Sequence, residues 1–127
     1  MNIPVFPETK VAVKGKKGLV VGIANDQSIA WGCATAFRAL GAELAVTYLN
    51  EKARKHVEPL AKALEAPIFM PLDVMAEGEI EKVFDRIEQE WGQLDFLLHS
   101  IAFSPKGALH GRVVDVDREG FQKTMDV

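Results

Sequence analysis

The chain has 127 residues, 48% of them hydrophobic and 26% charged, with a formal net charge of −3. That is enough for one domain with a real core, in the composition range of soluble globular proteins. No bulk basic field argues for nucleic acid, and no apolar run is long enough to span a membrane. One cysteine, Cys33, excludes an internal disulfide and fits a reducing compartment.

Met1 to Lys10, with Pro4 and Pro7, reads as an irregular arm. It lacks the charged and then apolar pattern of a secretory leader, so cytoplasm is the default location. Lys14, Lys16 and Lys17 form a small basic cluster, read as a solvated strand entrance. A first strand is predicted over Gly18 to Ile23, and it runs into a glycine and a polar turn. A first helix follows from about Ser28 to Leu40. Ile29, Cys33, Ala36, Phe37 and Leu40 are its predicted apolar face, with Cys33 a small core residue. Gly41 is a good helix stop.

Strand two is predicted over Glu43 to Tyr48, and a helical region over Lys52 to Leu64. Pro59 inside that region implies a kink or a late start. Strand three is Pro67 to Met70. The third helix, Glu77 to Trp91, carries Ile80, Val83, Phe84, Ile87 and Trp91 on one stripe. Strand four, Leu94 to His99, is apolar nearly throughout, as expected of a strand covered on both faces. A loop from Ser100 to Val116 follows, and a fourth helix begins near Asp117.

The alternation of strands and helices argues for an α/β fold with a parallel sheet. Right-handed crossovers put the strands in the order 3-2-1-4, the first half of a Rossmann-like doubly wound sheet. One dinucleotide-binding domain over 1–127 is expected, incomplete at the C-terminus and truncated before strand five. In such sheets ligands bind beyond the carboxyl ends of the strands.

The turn after strand one is the first candidate site. Gly22 lets the backbone turn tightly and approach a ligand. Ser28 is a natural N-cap whose hydroxyl serves either the helix or a phosphate. Gly32, one turn into the helix, permits close packing on the strand. A helix start offers unpaired N–H groups and partial positive charge to a pyrophosphate. Taken alone, the turn fits a purely structural strand-turn-helix equally well.

The wording of the sequence adds to this. Gly22-Ile-Ala-Asn25, then Ser28-Ile-Ala30 and Gly32, resembles the cofactor loop of bacterial enoyl-acyl-carrier-protein reductases, members of the short-chain dehydrogenase/reductase superfamily. Gly41 to Tyr48, Asp73-Val74, Asp95 to Phe103 and Arg118 to Phe121 also resemble that family. The similarity runs from about Val13 to the end. A generic superfamily member more often reads Asn-Ala-Gly where this chain reads Ser100-Ile-Ala102.

The resemblance implies a set of cofactor contacts. Gly22, Ala24, Ser28 and Ile29 belong to the first loop. Leu49, after strand two, would lie near the adenosine. An acid there would suit a 2′-hydroxyl and a base a 2′-phosphate. The chain has Leu49-Asn50 with no basic residue directly after Tyr48, which favours NADH over NADPH. Asp73 and Val74 would flank the adenine, with the carboxylate accepting from the exocyclic amine. Alone, Asp73 reads as a helix cap. Ser100, Ile101 and Ala102 would let the backbone run close to the ribose and nicotinamide. Phe103 and Ser104 would line the entrance for the acyl substrate.

No residue of this segment is assigned a catalytic role. His99 and Ser100 are adjacent in a strand and point to opposite faces, so they form no dyad. His56 and His110 are isolated, and no metal-ligand spacing is present. The family pairs a tyrosine and a lysine at Tyr-x-x-x-x-x-x-Lys spacing on the helix after strand five. Tyr48 and Lys55 match that spacing, but on the adenosine side. The pair is therefore expected beyond Val127, and the 127-residue segment alone is expected to be inactive.

The function implied is NADH-dependent reduction of the enoyl double bond of acyl-carrier-protein thioesters in fatty-acid biosynthesis, this chain supplying the cofactor-binding half. The intact family implies a homotetramer. Two alternatives stay open: another short-chain reductase, or a non-catalytic nucleotide-binding module.

Overall fold

The computed structural model describes residues 3–5 and 13–127. Most of the N-terminal arm read from the sequence lies outside the described residues, and Ile3–Val5 carry no regular structure. Four strands form one parallel sheet in the order β3-β2-β1-β4, the order expected from the sequence. They are β1 Lys17–Val21, β2 Glu43–Tyr48, β3 Ile68–Pro71 and β4 Phe96–His99. The helices are α1 Ile29–Ala39, α2 Glu51–Ala63, α3 Glu79–Trp91 and α4 Arg118–Asp126. Two short 3-10 turns, Lys106–Leu109 and Val113–Asp115, interrupt the loop after β4. Among the described residues no helix is long and apolar enough to cross a membrane.

The two-residue period of the strands divides the core between the sheet faces. Val20, Leu44, Val46 and Tyr48 pack with residues of α1 and α2 on one face. Leu19, Val21, Ala45 and Ile68 pack with Val83 and Ile87 of α3 on the other. β1 is therefore covered on both sides and reads as an almost unbroken apolar run.

Helix α1 buries a different face from the one its large apolar residues suggest. Ala30, Trp31, Ala34 and Thr35 face inward, whereas Ile29 is 81% exposed and Cys33 only half-buried. Two alanines let the helix lie close to the sheet, and the Thr35 hydroxyl is satisfied by the Gly32 carbonyl at 2.8 Å. Gly32 is exposed, and a Cβ there would meet nothing within 4 Å. It has no packing role against the strand.

Helix α2 starts neither late nor after Pro59. Asn50 caps it by accepting from the Ala53 N–H at 2.9 Å, and the helix continues through the proline. Lys55 and Pro59 lie on its exposed side, where water can serve the carbonyl that proline cannot.

α3 starts at Glu79 after Gly78, whose φ of 81° breaks the pattern two residues later than expected. Of its apolar stripe, Val83 and Ile87 are buried and Trp91 half-buried. Ile80 and Phe84 stay exposed. β4 is shorter than predicted and half-open: Leu97, in register with Leu19, is 47% exposed. The expectation that strand four is covered on both faces therefore fails for these residues. Lys17 of the basic cluster pairs with Glu43 at 2.7 Å and lies over the Trp91 ring, while Lys14 and Lys16 are exposed.

α4 begins where expected, with Asp117 accepting from the Gly120 N–H at 2.7 Å. It rests on the loop after β4, where the Thr124 hydroxyl donates to Ser104 Oγ at 3.3 Å.

Candidate functional site

A parallel sheet sends all its strand ends out at one edge. Gly22 follows β1, Leu49 follows β2, Leu72 to Val74 follow β3, and Ser100 to Ala102 follow β4. The structure thus brings the residues singled out in four separate loops to one side of the fold. Backbone bonds tie the loops together: Leu72 N–H donates to the Tyr48 carbonyl at 2.8 Å, and Ser100 N–H to Val21 at 2.8 Å.

Gly22 has φ 121°, and a Cβ on it would stand 2.0 Å from the Ser100 carbonyl oxygen. Only glycine permits both the conformation and the approach. The next residues close into a small hydrogen-bonded turn. Ser28 Oγ accepts from Ala24 N–H at 2.9 Å and from Asn25 N–H at 3.1 Å. Asn25 Oδ1 accepts from Gln27 N–H at 2.8 Å. Asn25 is a residue the sequence reading left without a role, although asparagine in a polar turn is the usual mark of this geometry.

Ser28 occupies the N-cap position of α1, but its side chain makes no capping bond. The hydroxyl is turned back into the loop. The first turn of α1 contains no acidic residue either. The other helices differ: Glu51 lies in the first turn of α2, Glu79 and Glu81 in that of α3, and Glu119 in that of α4. Among the four described α-helices α1 alone presents a start with neither a side-chain cap nor a carboxylate. The Trp31 and Gly32 N–H groups turn to the Ser28 carbonyl at 3.0 and 3.3 Å, so the Ile29 and Ala30 N–H groups are the ones with no acceptor among the described residues.

At the end of β2, Leu49 is exposed, and the Asn50 side chain is committed to capping α2. Arg54 is held over the Tyr48 ring, 3.6 Å from Glu51 and 3.9 Å from Glu58. At the end of β3, Asp73 Oδ1 accepts from Met75 N–H at 2.9 Å, and the Asp73 N–H donates to the Glu79 carboxylate. Glu79 is a second residue the sequence did not flag; no short-range rule links positions six apart.

After β4, Ile101 packs partly against the α3-side core, and Ala102 and Phe103 are exposed. Ser104 is half-buried, with Thr124 of α4 bonded to its hydroxyl. The Tyr48 ring is buried against Phe69, centroids 4.7 Å apart, within the α1/α2 core, and Lys55 is exposed on α2. Their sequence spacing brings no shared site. Among the described residues no group of His, Cys, Asp or Glu has the arrangement of a metal site.

A cleft of about 360 Å³ lies elsewhere, between Pro105, Ala108, Asp117 and Lys123, and includes none of the candidate cofactor residues. Near it the Arg112 side chain, then its backbone N–H, hold the Asp115 carboxyl below its usual value of 3.8.

The family model for enoyl-(acyl carrier protein) reductase matches residues 22–127. The chain belongs to this reductase family. It is 44% identical over 115 residues to enoyl-acyl-carrier-protein reductase (NADH) 1 of Rhizobium meliloti, covering 91% of this chain and 42% of that protein. It is 40% identical to the FabI reductase of Aquifex aeolicus, covering 91% of this chain and 43% of the relative. The chain therefore spans less than half the length of these curated relatives. Among solved structures, a crystal structure of the Anaplasma phagocytophilum reductase in complex with NAD superposes with a TM-score of 0.84. That protein is 45% identical, over 90% of this chain and 44% of that one. The Aquifex aeolicus reductase superposes with a TM-score of 0.86 at 40% identity. The Rossmann-like sheet order is thus shared with members of the reductase family.

Proposed function

We propose that this chain is the cofactor-binding part of an NADH-dependent enoyl-acyl-carrier-protein reductase. The whole protein would reduce the enoyl double bond of acyl-carrier-protein thioesters in fatty-acid biosynthesis. The observation that carries this reading is the α1 start: an uncapped, acid-free helix N-terminus beside a glycine that no other residue could replace. A pyrophosphate fits that donor set. Family membership supplies the reaction class, and the NADH in the relatives' names supports the choice of nucleotide.

A bound reduced nicotinamide would supply hydride to the enoyl group. The residues here bind and orient. Gly22, Ala24, Ser28 and Ile29 would shape the pyrophosphate loop. Leu49 would border the adenosine, and Asp73 and Val74 the adenine. Ser100, Ile101 and Ala102 would run along the ribose and nicotinamide, with Phe103 and Ser104 toward the acyl substrate. The absence of a free cation directly after Tyr48 supports NADH over NADPH. The tyrosine and lysine that complete the chemistry are assigned to the part of the relatives this chain does not span. A cytoplasmic location and a homotetramer go with this reading.

Titration of the chain with ADP, NADH and NADPH, followed by backbone amide NMR, tests it. ADP and NADH are expected to move the Ile29 and Ala30 amides, with NADPH weaker than NADH. If saturating ADP leaves those amides unmoved, the cofactor-binding reading is wrong. The segment alone is expected to give no turnover of an enoyl thioester with NADH.

A further inference from the structure

The turn after β3 is closed by bonds from both its ends. Asp73 Oδ1 accepts from Met75 N–H at 2.9 Å, and Ala76 N–H donates to the Asp73 carbonyl at 3.0 Å. Gly78, at φ 81°, reverses the chain into α3. Glu79 is the first residue of that helix, and its carboxylate accepts from the backbone N–H of Asp73. A carboxylate is at home at a helix start, yet this one is spent on a residue six positions back. It fixes the backbone from which the Asp73 side chain springs, while Met75 fixes one carboxylate oxygen. Among the described residues the other oxygen accepts no hydrogen bond and is open to a further donor.

We propose that Glu79 is a positioning residue for adenine recognition, holding the Asp73 turn so that its carboxylate meets the exocyclic amine. This rests on the adenine assignment of Asp73 made above. The partner chemistry is a 6-aminopurine nucleotide. Holding an acceptor in one place matters because an amine-to-carboxylate bond loses strength steeply with misalignment.

The test is titration of the chain with AMP and with IMP, which lacks the amine, followed by amide NMR. The wild type is expected to bind AMP more tightly than IMP. Glu79→Ala is expected to lose roughly five- to tenfold in AMP affinity, less than the whole worth of a charge-assisted hydrogen bond because the Asp73 carboxylate stays in place but is held less firmly, with IMP affinity unchanged. Glu79→Gln keeps an acceptor oxygen and is expected within about threefold of wild type. Glu79→Asp keeps the charge, shortens the reach and is expected to behave like the alanine variant. A wild type that does not distinguish AMP from IMP removes the adenine assignment and this proposal with it. A wild type that does, alongside Glu79 variants that lose both nucleotides equally or neither, overturns the positioning role alone. If the alanine variant does not fold, the Asp and Gln variants decide the same question.

Discussion

The Ser100 carbonyl oxygen occupies the space that a Cβ on Gly22 would need, 2.0 Å from its ideal position. Gly22 directly follows β1, and Ser100 directly follows β4. The contact therefore sets how close the first and fourth loops come at the candidate site. Gly22→Ala combines a backbone overlap with a φ of 121°, and is expected to cost about 2–4 kcal/mol. Gly32→Ala is the control. It adds a methyl group in open space on a helix, and is expected to stabilise by about 0.5–1 kcal/mol. Urea denaturation of both variants checks the contrast. Equal effects of the two would show that glycine serves chain flexibility at both sites, and not the approach to Ser100.

Ser28→Ala removes the acceptor shared by the Ala24 and Asn25 N–H groups. Both donors are exposed enough to turn to water, so the cost to global stability is expected to be about 1 kcal/mol. Because Ser28 makes no capping bond, the change should loosen the loop and leave α1 intact. Amide exchange is the discriminating measurement. Ala24 and Asn25 should exchange faster, with Ala34 and Thr35 unchanged. Faster exchange throughout α1 would mean that the hydroxyl supports the helix after all.

These loops show what the sequence could disclose. Strand order followed from the alternation of elements and right-handed crossovers in a Rossmann-like sheet, and the Gly22 turn and the start of α4 near Asp117 from local sequence. The buried face of α1 did not follow, because periodicity weights large apolar residues. Close packing on a sheet instead favoured Ala30 and Ala34 and left Ile29 in solvent. The Glu79 link to Asp73 and the Thr124 link to Ser104 span six and twenty residues. Each depends on a bend or a tertiary contact that no local pattern encodes. The direction of the Ser28 hydroxyl is of the same kind: the residue type announced a cap, and the loop geometry recruited it elsewhere.

Leu19 and Leu97 sit side by side in register on the α3 face, yet one is 1% and the other 47% exposed. β4 pairs only with β1 in the described sheet, so its outer edge carries unpaired backbone groups. Leu97→Lys is expected to change stability by less than about 1 kcal/mol and to reduce self-association, since charge on an edge strand opposes further pairing. Leu19→Ala should cost about 2–5 kcal/mol, as a cavity between β1 and α3. Urea melts and light scattering across concentration check the pair. Wild-type association at high concentration that the lysine leaves unchanged would place the contact surface away from β4.

Arg112 and Asp115 form a compact acid-sensitive unit in the loop before α4. The guanidinium donates to both carboxylate oxygens, at 2.9 and 3.1 Å, and the Arg112 backbone N–H adds a third bond at 3.2 Å. These bonds lower the Asp115 pKa below 3.8. A carboxyl that is more acidic folded than unfolded adds stability above its unfolded value and loses it as pH falls through its folded value. Order in the Val113–Asp115 turn should therefore be constant from neutrality down to about pH 4 and decay below it. Both side chains are open to solvent, so added salt should weaken the turn at neutral pH. NMR of the Arg112 Nε–H against pH follows the unit directly. In Asp115→Asn the acid transition at this turn should vanish. A transition that survives the substitution would assign it to a different carboxylate.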